Sequence, residues 1–197
     1  MNADGISPDD LMESLSVVKN YQMVFKAGEG AGASGSFFFF SYDNRFLIKT
    51  LQGKEKCKLL NMMNLYVQHI KSTKNESMIA RIYGIFTFMT NQFQALDIVI
   101  MQNTAHLYDN RAKKFSFDLK GSKIDRKVKF NPKTSSKNSP LLKDMNFEEI
   151  ERANRKGQEN FLVSLNEEDY SCICDILKTD SEFLASLGIM DYSLLLV

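Results

Sequence analysis

Lys49 closes a run of otherwise apolar residues, Phe46, Leu47 and Ile48, and follows a glycine-rich stretch from Gly28 to Ser36. Glycines let a backbone approach phosphate oxygens closely, offering N–H groups where a Cβ would collide. A lysine on a nearby strand can reach over the same pocket and neutralise phosphate charge. Inside an apolar strand that lysine must snorkel or find a partner. Glu55 is the sole Asp or Glu between Lys49 and Glu76, so it is the local candidate. The alternatives are a flexible hairpin for the glycines and a solvated acid in a first helical turn for Glu55.

Two further groups carry chemistry. In Phe117-Asp118-Leu119-Lys120-Gly121-Ser122 an acid and a lysine two apart on a strand share one face, and Gly-Ser exposes backbone N–H groups beyond them. That cluster suits binding of a transferring phosphate, with Asp118 orienting Lys120. A β-turn with ordinary surface charges is the other reading. In Met190-Asp191-Tyr192-Ser193 the carboxylate stands in an apolar tail, where burial is costly unless the group is paired or functional. Asp191 is therefore a candidate base, or orienter, for an attacking hydroxyl.

The elements that must position these groups follow from local pattern. Ser7-Pro8-Asp9-Asp10 reads as a helix start, with Leu11, Leu15 and Val18 as its apolar stripe. Tyr21, Met23 and Phe25 alternate with Gln22, Val24 and Lys26, which predicts a strand. The glycines, the bulky run Phe37 to Phe40, a turn at Tyr42 to Arg45 and the strand Phe46 to Thr50 follow. A glycine loop over ATP with a lysine on the third strand is the arrangement of kinases. A helix from about Gly53 to Ile70 carries Leu59, Met62, Met63, Val67 and Ile70. Ile79 to Met89 and Phe93 to Met101 predict a hairpin. Asn131 to Pro140 reads as a mobile loop, Asn146 and Glu149 as a capping pair before a helix that stops near Gly157. Asn166 opens a longer helix with Tyr170, Ile173, Leu177, Leu184 and Leu187 on one side, and Gly188 ends it in a left-handed cap.

A chain of 197 residues suffices for one domain or two small lobes sharing a cleft. No apolar run approaches the roughly 20 residues of a spanning helix, and the first residues lack a signal-peptide pattern. Cys57, Cys172 and Cys174 have no metal-type spacing and read as reduced thiols. His69 and His106 are too few for a zinc site and read as solvated. Net charge is +1, yet Arg111 to Lys137 holds ten bases against two acids, and Lys143 to Val197 holds twelve acids against five bases. A basic block suits an anionic partner, whether a membrane, a phosphorylated substrate or nucleic acid, and equally a solvated loop. Nucleic acid is set aside, because interleaved aromatics and a known module are both missing.

Ile6-Ser-Pro-Asp-Asp10, Gly32-Ala-Ser-Gly-Ser36, Phe46-Leu-Ile-Lys-Thr50, Phe117-Asp-Leu-Lys-Gly-Ser122 and Ile189-Met-Asp-Tyr-Ser-Leu-Leu195 resemble, in order, the phosphatidylinositol phosphate kinase family. The layout is more similar to its smaller type I and type II members than to the large FYVE-containing type. The resemblance implies an α+β, two-lobed lipid-kinase fold, distantly protein-kinase-like, with an antiparallel sheet in residues 1–103 and a partial catalytic lobe in 104–197. It implies ATP and Mg²⁺ as cofactors and phosphatidylinositol 4-phosphate as the lipid phosphorylated, with a catalytically incomplete lipid-binding module as the alternative. Residue by residue, Lys49, paired with Glu55, would bind the α- and β-phosphates. Gly32, Ala33, Ser34, Gly35 and Ser36 would cover them, and the stretch from Met101 to Asn103 would line the adenine edge. Lys120 would contact the transferring phosphate with Asp118 beside it, and Asp191 would act on the substrate hydroxyl. Lys123, Arg126, Lys127 and Lys129 would face an anionic membrane, holding a cytoplasmic protein on the cytosolic face, the plasma membrane first among candidates. Further sheet, a metal-binding aspartate and the lipid-selecting loop are expected beyond Val197. Gly28 and Gly30 make the glycine loop richer than the family pattern. Some members dimerise through their N-terminal sheet region, and no residue here decides for or against a homodimer.

Overall fold

Ser7 opens the first helix with a closed capping box: its hydroxyl accepts the Asp10 N–H at 3.0 Å, and the Asp10 carboxylate accepts the Ser7 N–H at 2.9 Å. The computed structural model describes residues 5–21, 36–91, 95–106, 115–130, 140–156 and 163–197. The first helix, α1, runs Pro8–Ser14, and a short α2 follows at Val17–Tyr21. Two expectations are corrected here. Tyr21 ends a helix instead of starting a strand, and Val18 is exposed instead of joining Leu11 and Leu15. The cause is the break after Leu15. There the Asn20 side chain donates to the carbonyls of Ser14 and Ser16, both at 2.8 Å, and turns the chain away from the stripe. Met23, Phe25 and the glycines from Gly28 to Gly35 lie outside the described residues.

The chain divides into two compact units, Met1–His106 and Leu107–Val197. In the first, β1 (Phe38–Phe40), β2 (Phe46–Leu51), β3 (Ile82–Phe88) and β4 (Leu96–Gln102) form an antiparallel sheet in the order β1-β2-β4-β3. The β1–β2 turn is built on Asp43, whose carboxylate accepts the hydroxyls of Ser14 and Ser41, both at 2.6 Å. Register sets Ile48 opposite Ile100 and Thr50 opposite Ile98. Phe46, Ile98 and Ile100 are the buried centre of this face, with Leu11 of α1 and Leu15 just after it against them. Each such side chain contributes about 1.5–3 kcal/mol by leaving water.

Lys49, Thr87 and Asp97 alternate with that core and lie on the opposite face. Helix α3, Gly53–Ser72, is tied to this unit's sheet by polar contacts. The Lys56 ammonium reaches Thr87 Oγ1 at 2.6 Å and Asp97 Oδ1 at 2.7 Å, and Tyr66 Oη accepts the Ile82 N–H at 2.9 Å. The inward stripe of α3 is Leu59, Met62, Tyr66 and Ile70, with His69 beside them. Val67 is exposed and His69 is buried, the reverse of expectation, because the helix presents Tyr66 to the start of β3.

In the second unit, β5 (Phe117–Leu119) lies between β6 (Leu142–Lys143), parallel to it, and β7 (Leu194–Leu196), antiparallel. Phe117 and Leu142 are buried, and Phe147 of α4 (Asp144–Lys156) meets the Phe117 ring edge-on at 5.2 Å. Asn146 does not cap α4 with Glu149 as the sequence suggests. The helix starts directly after β6, so Asn146 falls in its first turn. From there its amide takes the Val128 N–H at 3.0 Å and gives to the Val128 carbonyl at 2.9 Å. Helix α5, Glu167–Ser186, is capped by Asn166, whose side chain accepts the Asp169 N–H at 2.7 Å. It ends as expected: Gly188 sits at φ +61, with its N–H on Ala185 and that of Ile189 on Leu184. Cys57, Cys172 and Cys174 are exposed thiols. Among the described residues no helix is long and apolar enough to cross a membrane.

Candidate active site

In the first unit the geometry centres on Lys49. Strand β2 pairs with β1 on one side and β4 on the other, so the Lys49 backbone is fixed by two ladders. Its ammonium lies 3.0 Å from Glu55 Oε1 in the first turn of α3. The other carboxylate oxygen accepts the Gln52 N–H at 2.9 Å, so Glu55 also caps its own helix. That backbone hydrogen bond holds the Glu55 carboxyl below the ordinary glutamate range; burial opposes it and Lys49 adds to it. With the Lys49 side chain 23% and Glu55 35% exposed, the pair is worth less than about 1 kcal/mol. Its consequence is placement: the ammonium is held, still reachable, over one face of a rigid sheet.

The other residues assigned to this unit are placed as follows. Met101 in β4 stands between Leu47 and Ile82 and is half-buried. Asn103 follows β4, and its amide is committed locally, donating to the Asn44 carbonyl at 2.7 Å and accepting the Ala105 N–H at 3.2 Å. It shapes the end of the strand instead of offering a free amide. Ser36 is buried just before β1. Gly32, Ala33, Ser34 and Gly35 lie outside the described residues.

In the second unit β5 and β7 bring the two remaining motifs together. Asp118 faces Leu195 across the ladder, and Lys120, one residue past β5, reaches Asp191 Oδ1 at 3.7 Å. Asp191 has a left-handed backbone, φ +61, and its side chain is 91% exposed. Its apolar neighbours in sequence therefore do not bury it. The turn before β7 lifts it out into solvent.

Asp118 lies within the electrostatic reach of Lys120, and its direct hydrogen bonds go elsewhere. Its carboxylate accepts from the Arg126 guanidinium at 2.9 Å and is hydrogen-bonded by Ser193. Burial alone would push the Asp118 carboxyl up, but Ser193 and Arg126 outweigh it and hold it below the usual range. Arg126 also donates to the Asp118 carbonyl and, through Nε, to Asp144 Oδ2 at 2.7 Å. The same opposition holds for Asp144: burial raises its pKa, while Arg126 and backbone N–H groups lower it further. Arg126 was expected to face a membrane; it is buried, spanning two carboxylates with its planar fork.

Arg126 and Asp144 are the residues that the sequence reading missed as site components. The available signal was the charge split. The acids after Lys143 meet the bases before it, in Arg126 with Asp144, Lys123 with Glu148 at 3.1 Å and Lys127 with Glu149. Among the described residues no group of three or more His, Cys, Asp or Glu side chains is placed to hold a metal ion.

The family model described as Phosphatidylinositol-4-phosphate 5-Kinase matches residues 20–197. The chain is 34% identical over 98% of its length to a probable phosphatidylinositol phosphate kinase of Dictyostelium discoideum, covering 25% of that protein. It is 30% identical over 98% of its length to human phosphatidylinositol 4-phosphate 5-kinase type-1 beta, covering 32% of it. Against chicken phosphatidylinositol 5-phosphate 4-kinase type-2 alpha it is 28% identical over 97% of its length, covering 42% of that protein. The chain thus spans from a quarter to less than half of the length of these relatives.

Proposed function

The chain belongs to the phosphatidylinositol-4-phosphate 5-kinase family, and from that premise we propose that it is the nucleotide-handling part of a lipid kinase. Its fold is read as a two-lobed one, distantly like protein kinases, that moves the γ-phosphate of ATP to an inositol-ring hydroxyl of phosphatidylinositol 4-phosphate. The observation that carries this reading is the 3.0 Å contact between Lys49, laddered on both sides in β2, and Glu55 in the first turn of α3. A cation so placed neutralises the α- and β-phosphates, and its acid partner sets its direction.

The remaining roles are those that the family resemblance implies. The segment Gly32 to Ser36 covers the phosphates with backbone N–H groups, and the end of β4, from Met101 to Asn103, lines the adenine edge. Lys120 neutralises the transferring phosphate. Asp191, open to an incoming substrate, accepts the proton of the attacking hydroxyl. Asp118 keeps Arg126 and Ser193 in place beside them. When bound, Mg²⁺ would supply charge neutralisation on the phosphates; among the described residues no cluster of acids is placed to hold it. The exposed Lys123 and Lys127 contribute to attraction toward an anionic membrane, each worth about 1 kcal/mol near the surface, less what Glu148 and Glu149 neutralise. The protein is placed peripherally on the cytosolic face, with the plasma membrane as the expected site.

The test is phosphate transfer from labelled ATP to phosphatidylinositol 4-phosphate in vesicles, with the wild-type chain and with Lys49→Ala. Transfer by the wild type that Lys49→Ala abolishes is the expected result. Equal transfer by both removes Lys49 from the site. No transfer by either, with vesicle binding intact, favours the lipid-binding module instead.

A further inference from the structure

Lys120 stands one residue beyond a three-residue strand, in a turn, and its acid partner is almost fully exposed. A 3.7 Å contact to a carboxylate in open solvent cannot orient a lysine, because exposed pairs of that kind contribute next to nothing. Asp118 adds its charge at longer range, and the Lys120 backbone must itself be held for the ammonium to be aimed. The structure shows what holds it. Asp144 Oδ1 accepts the N–H of Lys120 at 3.0 Å and of Gly121 at 2.8 Å. Its other oxygen is held by Arg126 Nε at 2.7 Å, and the far side of the same guanidinium grips Asp118 in β5.

These contacts close a loop: β5, the turn, Asp144 at the start of α4, Arg126, and back to β5. Gly121 adopts φ +68, which a side chain would strain, although nothing lies within 4 Å of where its Cβ would be. The glycine is there for conformation, so that two successive N–H groups can converge on one carboxylate oxygen. Arg126 suits the task as lysine would not, since a single ammonium lacks the fork that reaches two carboxylates and a carbonyl together.

We propose that Asp144 and Arg126 are positioning residues for Lys120, fixing the turn that presents its ammonium beside Asp191. This rests on the reading of Lys120 as a phosphate contact, and it adds two residues that touch no reacting atom. A simple staple between loop and helix would give the same hydrogen bonds, so the test must show that Asp144 acts through Lys120.

The experiment is calorimetric binding of a non-hydrolysable ATP analogue to the 197-residue chain and to Lys120→Ala, Asp144→Asn and the double variant. Each single change is expected to weaken binding roughly tenfold, the loss of one charge-assisted contact. The double variant should bind no more weakly than Lys120→Ala, within about twofold, because the second change has nothing left to act through. Losses that add in full, or an Asp144→Asn chain that binds as wild type, overturn the positioning role while leaving Lys120 in place. Unchanged binding by Lys120→Ala overturns the reading of Lys120 itself, and the inference with it.

Should Asp144→Asn fail to fold, or the wild type bind no nucleotide, hydrogen exchange of the wild-type chain tests the premise that Asp144 holds the turn. The Lys120 and Gly121 amides are expected to exchange at least roughly tenfold below their intrinsic rates despite lying at the surface. Exchange at intrinsic rates means that Asp144 does not hold the turn, and the proposal fails.

Discussion

Lys49 and Lys120 each place a lysine against an acid, yet opposite means hold them. Lys49 sits within a six-residue strand laddered on both sides, two residues before the buried Leu51, with Glu55 at 3.0 Å. Lys120 lies past the end of a three-residue strand, 3.7 Å from an exposed acid, its backbone tied to Asp144 and through it to Arg126. In the first unit an apolar core sets the geometry and the ion pair is a late detail. In the second, charges set the geometry, since the small sheet buries little beyond Phe117 and Leu142. A site built on packing should ignore salt and acid. One built on a charge network should not.

The largest effect should come from the packed side. Phe46 is 1% exposed at the centre of the first core, and Phe46→Ala should cost about 3–5 kcal/mol in urea unfolding. A loss near zero would mean that β2 is not core-anchored. Next is Arg126→Met, which strands two carboxylates at close range and should cost about 3 kcal/mol, the low end for breaking a buried pair. The same network responds to acid. The Asp118 and Asp144 carboxyls are depressed in the folded chain, so their stabilisation is full above the unfolded aspartate pKa, about 3.9, and is lost as pH falls through their lower folded values. As pH falls from the unfolded aspartate value toward those lower folded values, the Gly121 amide resonance should move toward its unfolded position. Glu55 is depressed too, yet the β2 amide of Lys49 should stay, because its ladder does not depend on a carboxylate. Amides that titrate together would erase the contrast.

Smaller effects sharpen it. Gly188→Ala should cost about 1 kcal/mol, the strain of a side chain at φ +61, in thermal unfolding of the second unit. Lys49→Met should change stability by less than about 1 kcal/mol, since its pair is partly exposed and the thioether packs as well on the sheet.

Legibility in the sequence followed the range of each interaction. Ser7 with Asp10, Asn166 with its helix, Gly188, and the hairpin of β3 and β4 are local, and spacing announced them. Lys49 with Glu55 is six residues apart, near enough for elimination to find. Arg126 with Asp144 is 18 apart, and a lone arginine in a basic stretch looks like every other one there. The exposure of Asp191 was not legible for a related reason: apolar neighbours in sequence say nothing of which way a left-handed residue turns its side chain. Asn146 has the pattern of a cap, but its partner is Val128, from the preceding loop. Tyr21 alternates like a strand residue, and Asn20, bonded back to Ser14 and Ser16, keeps it in a helical turn.

The most direct measurement is equilibrium binding of a fluorescent ATP analogue to the wild-type chain and to Lys49→Met, at matched melting temperature. Lys49 as a phosphate ligand requires a loss of roughly tenfold or more, the weight of a charge-assisted hydrogen bond. Equal affinity in the two chains would mean that the Lys49–Glu55 pair fastens a helix to a sheet and nothing else.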